Sequence, residues 1–175
     1  MAGVVDASPG ALVCADVSCT GGKVTFGPGC VVQPRCLFVC EGGDGAAIRV
    51  GADCIFEEQC VVVHSGDGVL EIGSLNLFEV GCALRGVRRV GDGNRIGVRA
   101  EVGEGVTLGN NTYVAAAVRV APGTNVTDHT VVMHNACTSA DPVLSAKAHR
   151  AEMVDCLSAL RDPASRTALI NFHKI

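Results

Sequence analysis

The chain has 175 residues, of which 48% are hydrophobic, and carries a formal net charge of −4 at pH 7. This length suffices for one domain with a buried core, and the acidic balance gives no electrostatic footprint for nucleic acid or for an anionic membrane surface. The 22 glycines, the single tyrosine and the lack of tryptophan predict a narrow interior that holds Val and Ile but not large aromatic side chains.

The N-terminal residues predict neither a leader nor a regular structure. The segment MAGVVDASPGALV lacks the basic-then-apolar layout of a signal peptide, and no apolar stretch of the chain reaches the length of a membrane span. We therefore expect no direct membrane insertion. Residues 7–25 predict an irregular first coil, because the repeat that follows slips by about one residue near Val13 and Cys14.

A six-residue repeat dominates the chain from Ile72 to Val132. Its large apolar positions are Ile72, Phe78, Leu84, Val90, Ile96, Val102, Leu108, Val114, Val120, Val126 and Val132. This period matches neither the 3.6 of a helix nor the 2 of an ordinary strand. It is typical of a chain that turns a corner after each short strand, so that three faces form one coil of about 18 residues. Glycine follows the inward residue where a corner leaves no room for a Cβ, at Gly73, Gly91, Gly97, Gly103 and Gly109.

The same frame extends upstream, with two interruptions. Its inward positions there are Phe26, Val32, Phe38, Val50, Phe56 and Val62. The interruptions, after Phe38 and after Val62, leave at the same corner, which favours loops over separate domains. We predict an all-β solenoid over residues 7–137, a left-handed parallel β-helix of hexapeptide repeats. The left hand comes from the hexapeptide-repeat class, since ordinary parallel crossovers are right-handed.

The cysteines follow the repeat rather than a disulfide framework. Five of the ten occupy the small inward place of the hexad: Cys30, Cys36, Cys54, Cys60 and Cys82. At such positions cysteine acts as a compact hydrophobe, and the chain has no CxxC pair. We therefore expect free, buried, slowly reacting thiols and a reducing compartment.

The repeat gives way to a helical pattern after residue 140. Asp141-Pro142 has the residues of a helix start, and apolar residues then recur at three- and four-residue steps as far as Leu160. This predicts a helix near 142–161 that ends or breaks at Pro163, with a second short helix at Ala168–Phe172. The predicted division is a β-helix domain over 1–140 and a C-terminal helical segment over 141–175 that packs on the solenoid.

The histidines are candidate catalytic or metal-binding residues, because hexapeptide-repeat β-helices include acyltransferases and γ-class carbonic anhydrases. His129 and His134 form an HxxxxH pair in the last coil, but His64 lies about four coils away, roughly 19 Å at the strand spacing. His149 is predicted on the helix and is the other residue able to complete a site. His64 beside the second loop is the one candidate general base. Surface histidines are the favoured interpretation, and a homotrimeric enzyme of either class stays as the alternative.

Three carboxylates form a candidate partner-binding edge. Glu57, Glu58 and Glu79 come directly after inward residues, and Glu57 and Glu79 fall on the same ladder of adjacent coils. Like charges stacked in this way cost stability unless solvent or a basic partner offsets them. We expect these side chains to point to solvent and to contact another chain, so that replacing Glu57 and Glu79 by alanine leaves stability unchanged or slightly raised.

Several segments together resemble the dynactin subunit 6 family. They are Phe26-Gly27-Pro28, Val32-Gln33-Pro34-Arg35, Phe56-Glu57-Glu58-Gln59 and Asn76-Leu77-Phe78-Glu79-Val80-Gly81-Cys82. The resemblance covers the solenoid and the helix that follows it. Here the second loop and the C-terminal tail are shorter than in that family, and the first loop has a different length.

The resemblance implies a non-catalytic β-helix without cofactor or metal. It implies a place in the pointed-end complex of dynactin beside a paired β-helix, subunit 5, and a role in dynein-driven microtubule transport and cargo attachment. The implied location is the cytoplasm and its cytoskeleton. Self-association of the isolated chain stays open.

Overall fold

Three parallel sheets, visited in rotation, make up a solenoid of about seven coils. The computed structural model describes residues 2–43, 45–133, 136–139 and 142–162. Sheet I contains β1 (Val4–Ala7), β4 (Lys23–Phe26), β7 (Ala47–Val50), β10 (Val69–Ile72), β13 (Arg89–Val90), β16 (Thr107–Leu108) and β19 (Asn125–Val126). Sheet II contains β2 (Leu12–Val13), β5 (Val31–Val32), β8 (Ile55–Phe56), β11 (Leu77–Phe78), β14 (Arg95–Ile96), β17 (Tyr113–Val114) and β20 (Thr130–Met133).

The third sheet and two terminal elements complete the described fold. Sheet III contains β3 (Ser18–Thr20), β6 (Leu37–Cys40), β9 (Val61–His64), β12 (Ala83–Arg85), β15 (Glu101–Val102) and β18 (Arg119–Val120). Strand β21 (Ala136–Ser139) pairs antiparallel with β20 at the edge of sheet II. The helix α1 (Pro142–Arg161) follows, at the place that the sequence predicts. None of the described helical residues forms a stretch long and apolar enough to cross a membrane.

The strand register confirms the hexad frame. Ile72 pairs with Val50 on one side and Val90 on the other, as inward residues of successive coils. Both predicted loops leave at the corner between sheets III and I, after β6 and after β9. Corner glycines are required by close approach: a Cβ at Gly73 would lie 2.7 Å from the carbonyl carbon of Gly91 on the next coil.

The first coil is more regular than the sequence analysis expects. Val13 pairs with Val32 and Cys19 with Phe38, so the frame does not slip near Val13 and Cys14. Instead, the step from Cys19 to Phe26 has one extra residue. That residue lies at Gly21-Gly22, at the corner where the two longer loops leave, and Gly21 has a φ of 81°. The parallel pairing also begins earlier than residue 7, at Val4.

Four phenylalanines are inward, as the hexad frame predicts, so the expectation from composition that the interior excludes large aromatic side chains is wrong. Phe26, Phe38, Phe56 and Phe78 all have 0% exposure and pack together in one column. The rings of Phe56 and Phe78 are stacked with centroids 4.3 Å apart, and the other contacts are edge-to-face. Small side chains beside the rings make room for them. At the small inward place of the hexad, these coils have cysteine rather than valine.

Helix α1 covers the outer face of sheet II. Met153 and Leu157, exposed by 0% and 5%, pack against Val31, Ile55 and Leu77. The helix therefore removes from water an apolar face that successive coils of the solenoid build together. Pro163 and the predicted second helix at Ala168–Phe172 lie outside the described residues, and the division into segments 1–140 and 141–175 stays a prediction.

The five inward thiols are free and buried, as predicted, with exposures of 0–1%. Four of them bond to carbonyl oxygens of the following coil; Cys30, for example, donates to Gly51 O at 3.0 Å, and Cys54 to Gly73 O at 3.1 Å. Cys19 and Cys40 are buried as well, whereas Cys14 is exposed and Cys156 is half-buried. We therefore place the fast-reacting thiols of the described residues outside the core.

Alkaline pH is expected to destabilise the fold through these thiols. The hydrogen bond with Cys60, together with burial, raises the pKa of Cys36, and burial raises the pKa of Cys54. Below about pH 7.5 both thiols are neutral in the folded and unfolded states and contribute no pH dependence. Above it the unfolded chain loses protons that the folded chain keeps. The free energy of unfolding then falls by up to about 1.4 kcal/mol per pH unit for each thiol.

Urea titrations between pH 7 and pH 10.5 measure this loss. The matched control carries Cys36→Ala and Cys54→Ala and is expected to show a shallower decline, because lysine and tyrosine titration is common to both proteins. Parallel declines in the two proteins would contradict the assignment.

Candidate partner-binding edge

The three predicted carboxylates lie at the corner that joins sheet II to sheet III. Glu57 and Glu79 follow Phe56 and Phe78, which pair in register on β8 and β11. The structure therefore places Glu57 and Glu79 at equivalent positions of adjacent coils, as the frame predicts. Glu58 is the next residue along the first of these turns. We call this corner, with its three glutamates, the acidic edge.

The expectation that these side chains point to solvent is wrong for two of them. Glu57 Oε2 accepts a hydrogen bond from the backbone N–H of Val80 at 2.9 Å. One coil further on, Glu79 Oε2 accepts from the N–H of Val98 at 2.8 Å. The side chain of Glu79 is 12% exposed. Each carboxylate thus satisfies a turn amide that has no strand partner, and so bonds one coil to the next.

Arg95 pairs with Glu79 of the acidic edge and connects it to helix α1. Arg95 Nε donates to Glu79 Oε1 at 2.6 Å, and Arg95 Nη1 donates to both oxygens of Glu152 on α1, at 3.0 and 2.9 Å. The guanidinium carbon lies 5.5 Å from the centroid of the Tyr113 ring. Two carboxylates, one cation and an aromatic face therefore connect the edge to the helix.

The electrostatics of Glu57 differ from those of a solvated glutamate. Burial raises its pKa, the hydrogen bond from Val80 opposes this, and the neighbouring charge of Glu79 raises the pKa further. The stacking cost expected from the sequence is therefore present at Glu57. It is tolerated because both carboxylates are hydrogen-bonded and Arg95 supplies a positive charge.

Glu58 is the carboxylate of the edge that solvent reaches. It is 31% exposed and accepts from Arg35 Nη2 at 2.9 Å. Beside it along the corner lie Val80 and Val98, each 39% exposed. Sequence reasoning missed these valines and Arg95. The sequence feature that points to Arg95 is the outward ladder of sheet II. In this ladder Ile55 pairs with Leu77, and Leu77 pairs with Arg95.

The three candidate histidines in the described part of the chain, His64, His129 and His149, belong to no metal-binding group there. His64 is 7% exposed, and its Nε2 lies 3.2 Å from the carbonyl oxygen of Gly68 in the second loop. His149 on α1 has Nε2 at 2.8 Å from Leu75 O. His129 sits at the corner between sheets I and II with a φ of 57°. His134 and His173 lie outside the described residues. Among the described residues, no group of three or more His, Cys, Asp or Glu is arranged to hold a metal ion.

The fold matches that of hexapeptide-repeat proteins. A hexapeptide transferase family protein from Anaplasma phagocytophilum is similar to 94% of this chain over 95% of its own, with a TM-score of 0.75 and 14% identity. This likeness shows the fold alone. It confirms the predicted left-handed parallel β-helix.

Sequence relatives are more informative about the family. No protein-family model matches the chain. Dynactin subunit 6 of Xenopus tropicalis is 33% identical over 146 residues, which cover 77% of this chain and 70% of the relative. Dynactin subunit 6 of Danio rerio is 30% identical over 145 residues, covering 76% and 72%. With most of both chains aligned at this identity, the protein belongs to the dynactin subunit 6 family.

Proposed function

We propose that this chain is a non-catalytic structural subunit of the dynactin complex. The observation that carries the proposal is the 33% identity to dynactin subunit 6 over 146 residues, long enough to include most of the solenoid. A rigid repeat whose faces and corners present fixed ladders of side chains suits a subunit that joins other subunits.

The bonding of the candidate residues supports a role without an active site. His64 and His149 each lie at hydrogen-bond distance from a backbone carbonyl, in different parts of the molecule. Glu57 and Glu79 hold turn amides, and Arg95 is shared between two carboxylates. A general base or a metal site needs several such groups to converge on one open position.

The proposed place within dynactin rests on the resemblance to the family. We propose a cytoplasmic, cytoskeleton-associated protein in the pointed-end complex, beside the paired β-helix subunit 5. There it supports dynein-driven microtubule transport and the attachment of cargo. These roles rest on the resemblance of the solenoid and its corner segments to the dynactin subunit 6 family.

The three glutamates of the acidic edge have two different roles, in stability and in partner contact. Glu57 and Glu79 bond adjacent coils, so their main contribution is to the stability of the corner. Glu58, with its exposed carboxylate and its surface pair with Arg35, is the member that a basic partner reaches. We therefore propose Glu58, with Val80 and Val98, as the partner-contacting part of the edge.

Affinity purification of the tagged full chain from its native cells tests the proposal. We expect the other dynactin subunits to be recovered with the wild-type chain, and fewer of them with Glu58→Arg at unchanged thermal stability. Recovery of the chain as a homotrimer alone would overturn the assignment. So would stoichiometric zinc that is lost in His129→Ala or His134→Ala, because it would favour the alternative of a homotrimeric hexapeptide-repeat enzyme.

A further inference from the structure

Four arginines on the outer surface of the solenoid each pair with a carboxylate on an adjacent coil. The pairs are Arg35–Glu58, Arg49–Glu71, Arg95–Glu79 and Arg119–Glu101. Three arginines at the corner between β12 and β13, Arg85, Arg88 and Arg89, depart from this pattern. All three are exposed, and within the described chain no carboxylate lies at ion-pair distance from any of them. We call these three residues the basic corner.

A local irregularity of the ladder sets two of these cations side by side. Arg89 pairs in register with Thr107 on β16, but the N–H of Arg88, one residue earlier, donates to Val106 O at 2.8 Å. Arg88 thus takes the bond that the register gives to Arg89, which is the geometry of a β-bulge. Its side chain lies over the next coil at Gly105, where a Cβ would be 3.9 Å from Arg88 Nε. The bulge therefore presents two guanidinium groups at one place on the outer surface.

The basic corner lies at the foot of a step in the solenoid. The two preceding turns at this place carry the longer loops, and strands β9 and β10 extend further than β12 and β13. His64 of β9 pairs with Cys40, and Val69 of β10 with Ala47, on the side away from the basic corner. On the near side, β12 and β13 have no residue in register with either. A short strand edge, at which Val69 is 42% exposed, is therefore open beside the three cations.

The acidic residues around the basic corner do not neutralise it. Glu71 pairs with Arg49, and Asp67 in the second loop accepts from the N–H of Gly43 at 3.2 Å. Glu104 on the next coil is exposed and lies across the turn at Gly86, without reaching ion-pair distance from the arginines. Three like charges within five residues repel one another unless solvent or an acidic partner offsets them.

We propose that the basic corner binds an extended, acidic segment of another polypeptide. The guanidinium groups pair with Asp or Glu side chains, and the backbone of the segment bonds to the open strand edge at Val69. Carboxylates at i and i+2 of an extended segment lie on one face, about 7 Å apart, and so face neighbouring arginines. The open strand edge favours a polypeptide over a nucleic acid or a lipid, and so does the net charge of −4. The inference rests on the proposed function for the assembly in which that segment is found.

Site-specific photo-crosslinking in the full chain tests this. Benzoylphenylalanine replaces Val69 at the step or, as the matched control, Val4, which is 58% exposed on the first strand of the same sheet. The tagged chain is expressed in its native cells, purified in its assembly, irradiated and analysed by mass spectrometry. We expect the residue-69 variant to cross-link to another polypeptide, through a peptide with at least two Asp or Glu residues at a spacing of two. The residue-4 variant is expected not to give that peptide.

Charge reversal tests the role of the arginines. Arg88→Glu in the residue-69 variant is expected to lower the cross-link yield about tenfold. The matched control is Arg99→Glu at the corner between sheets II and III, because Arg99 is also exposed and has no ion pair within the described chain. Its yield is expected to stay unchanged. Both charge variants are first shown to have the thermal transition of their parent.

Several results would overturn the proposal. They are a yield at residue 69 no higher than at residue 4, a product between two copies of this chain, and a cross-linked peptide that lacks acidic side chains or carries its charge as phosphate. Equal yields in the Arg88→Glu and Arg99→Glu variants would overturn it as well.

The two proposals fail separately. Absence of the residue-69 cross-link with normal recovery of dynactin subunits refutes the acidic-segment site and leaves the proposed function intact. Recovery of the chain without any dynactin subunit refutes the proposed function, and the cross-link then reports on whichever assembly the chain occupies.

Discussion

Replacing Glu79 by alanine is expected to lower the free energy of unfolding by about 2–3 kcal/mol and to loosen α1 from sheet II. The substitution leaves the N–H of Val98 without its acceptor and removes one of the two carboxylates that face Arg95. Because Glu79 is 12% exposed, water restores these interactions poorly. This reverses the expectation from the sequence, in which Glu57 and Glu79 are dispensable for folding.

Urea denaturation followed by circular dichroism measures the effect, and hydrogen exchange over 147–161 measures the release of the helix. Glu58→Ala is the matched control on the same corner. Its pair with Arg35 lies at the surface, so a loss below about 1 kcal/mol is expected. Glu79→Gln keeps an acceptor for Val98 and is expected to fall between the two. Equal stability of Glu79→Ala and Glu58→Ala would mean that the inner carboxylate does not hold the corner.

Phe56→Ala is expected to have the largest effect, a loss of about 3–5 kcal/mol. Phe56 is fully buried at the centre of the aromatic column, with ring centroids 5.3 Å from Phe38, 6.0 Å from Phe26 and 4.3 Å from Phe78. Its removal leaves a cavity that the stacked coils are too tightly hydrogen-bonded to close. The surrounding rings lose both buried area and edge-to-face contacts.

Thermal and urea unfolding of Phe56→Ala and Phe56→Leu measure this loss. Leucine refills most of the volume without the ring contacts, so it is expected to cost less than half as much as alanine. A loss below about 1 kcal/mol in Phe56→Ala would contradict a column that is packed throughout. It would indicate that the coils relax around the missing ring.

The hexad frame identified the coils, the loop corner and the inward thiols, and the apolar steps of three and four residues identified the helix, because each depends on a spacing that the sequence displays directly. It placed Glu57 and Glu79 on one ladder for the same reason. It did not predict that these side chains fold back onto the turn amides of Val80 and Val98, since the frame fixes where a residue stands but not where a long side chain bends. Arg95 was missed because its partner Glu152 lies 57 positions further along the chain.

Two errors have a simpler physical origin. The absence of tryptophan predicts a narrow interior, whereas the room inside depends on the small residues beside each inward position. These leave room for Phe26, Phe38, Phe56 and Phe78. The sequence predicts an irregular first coil because its pattern does not show at which corner the extra residue lies. Only strand pairing distinguishes an insertion at Gly21 from a slip near Val13, because both shift the later frame by the same amount.

Sedimentation of the native chain shows whether it is a structural subunit of dynactin. Cell extract is separated on a sucrose gradient, and the fractions are probed for this chain and for other dynactin subunits. A structural subunit is predicted to sediment with them in one large complex. A chain found at the position of a homotrimer, about 54 kDa from three chains of 17.9 kDa, and absent from the fractions of those subunits would contradict it.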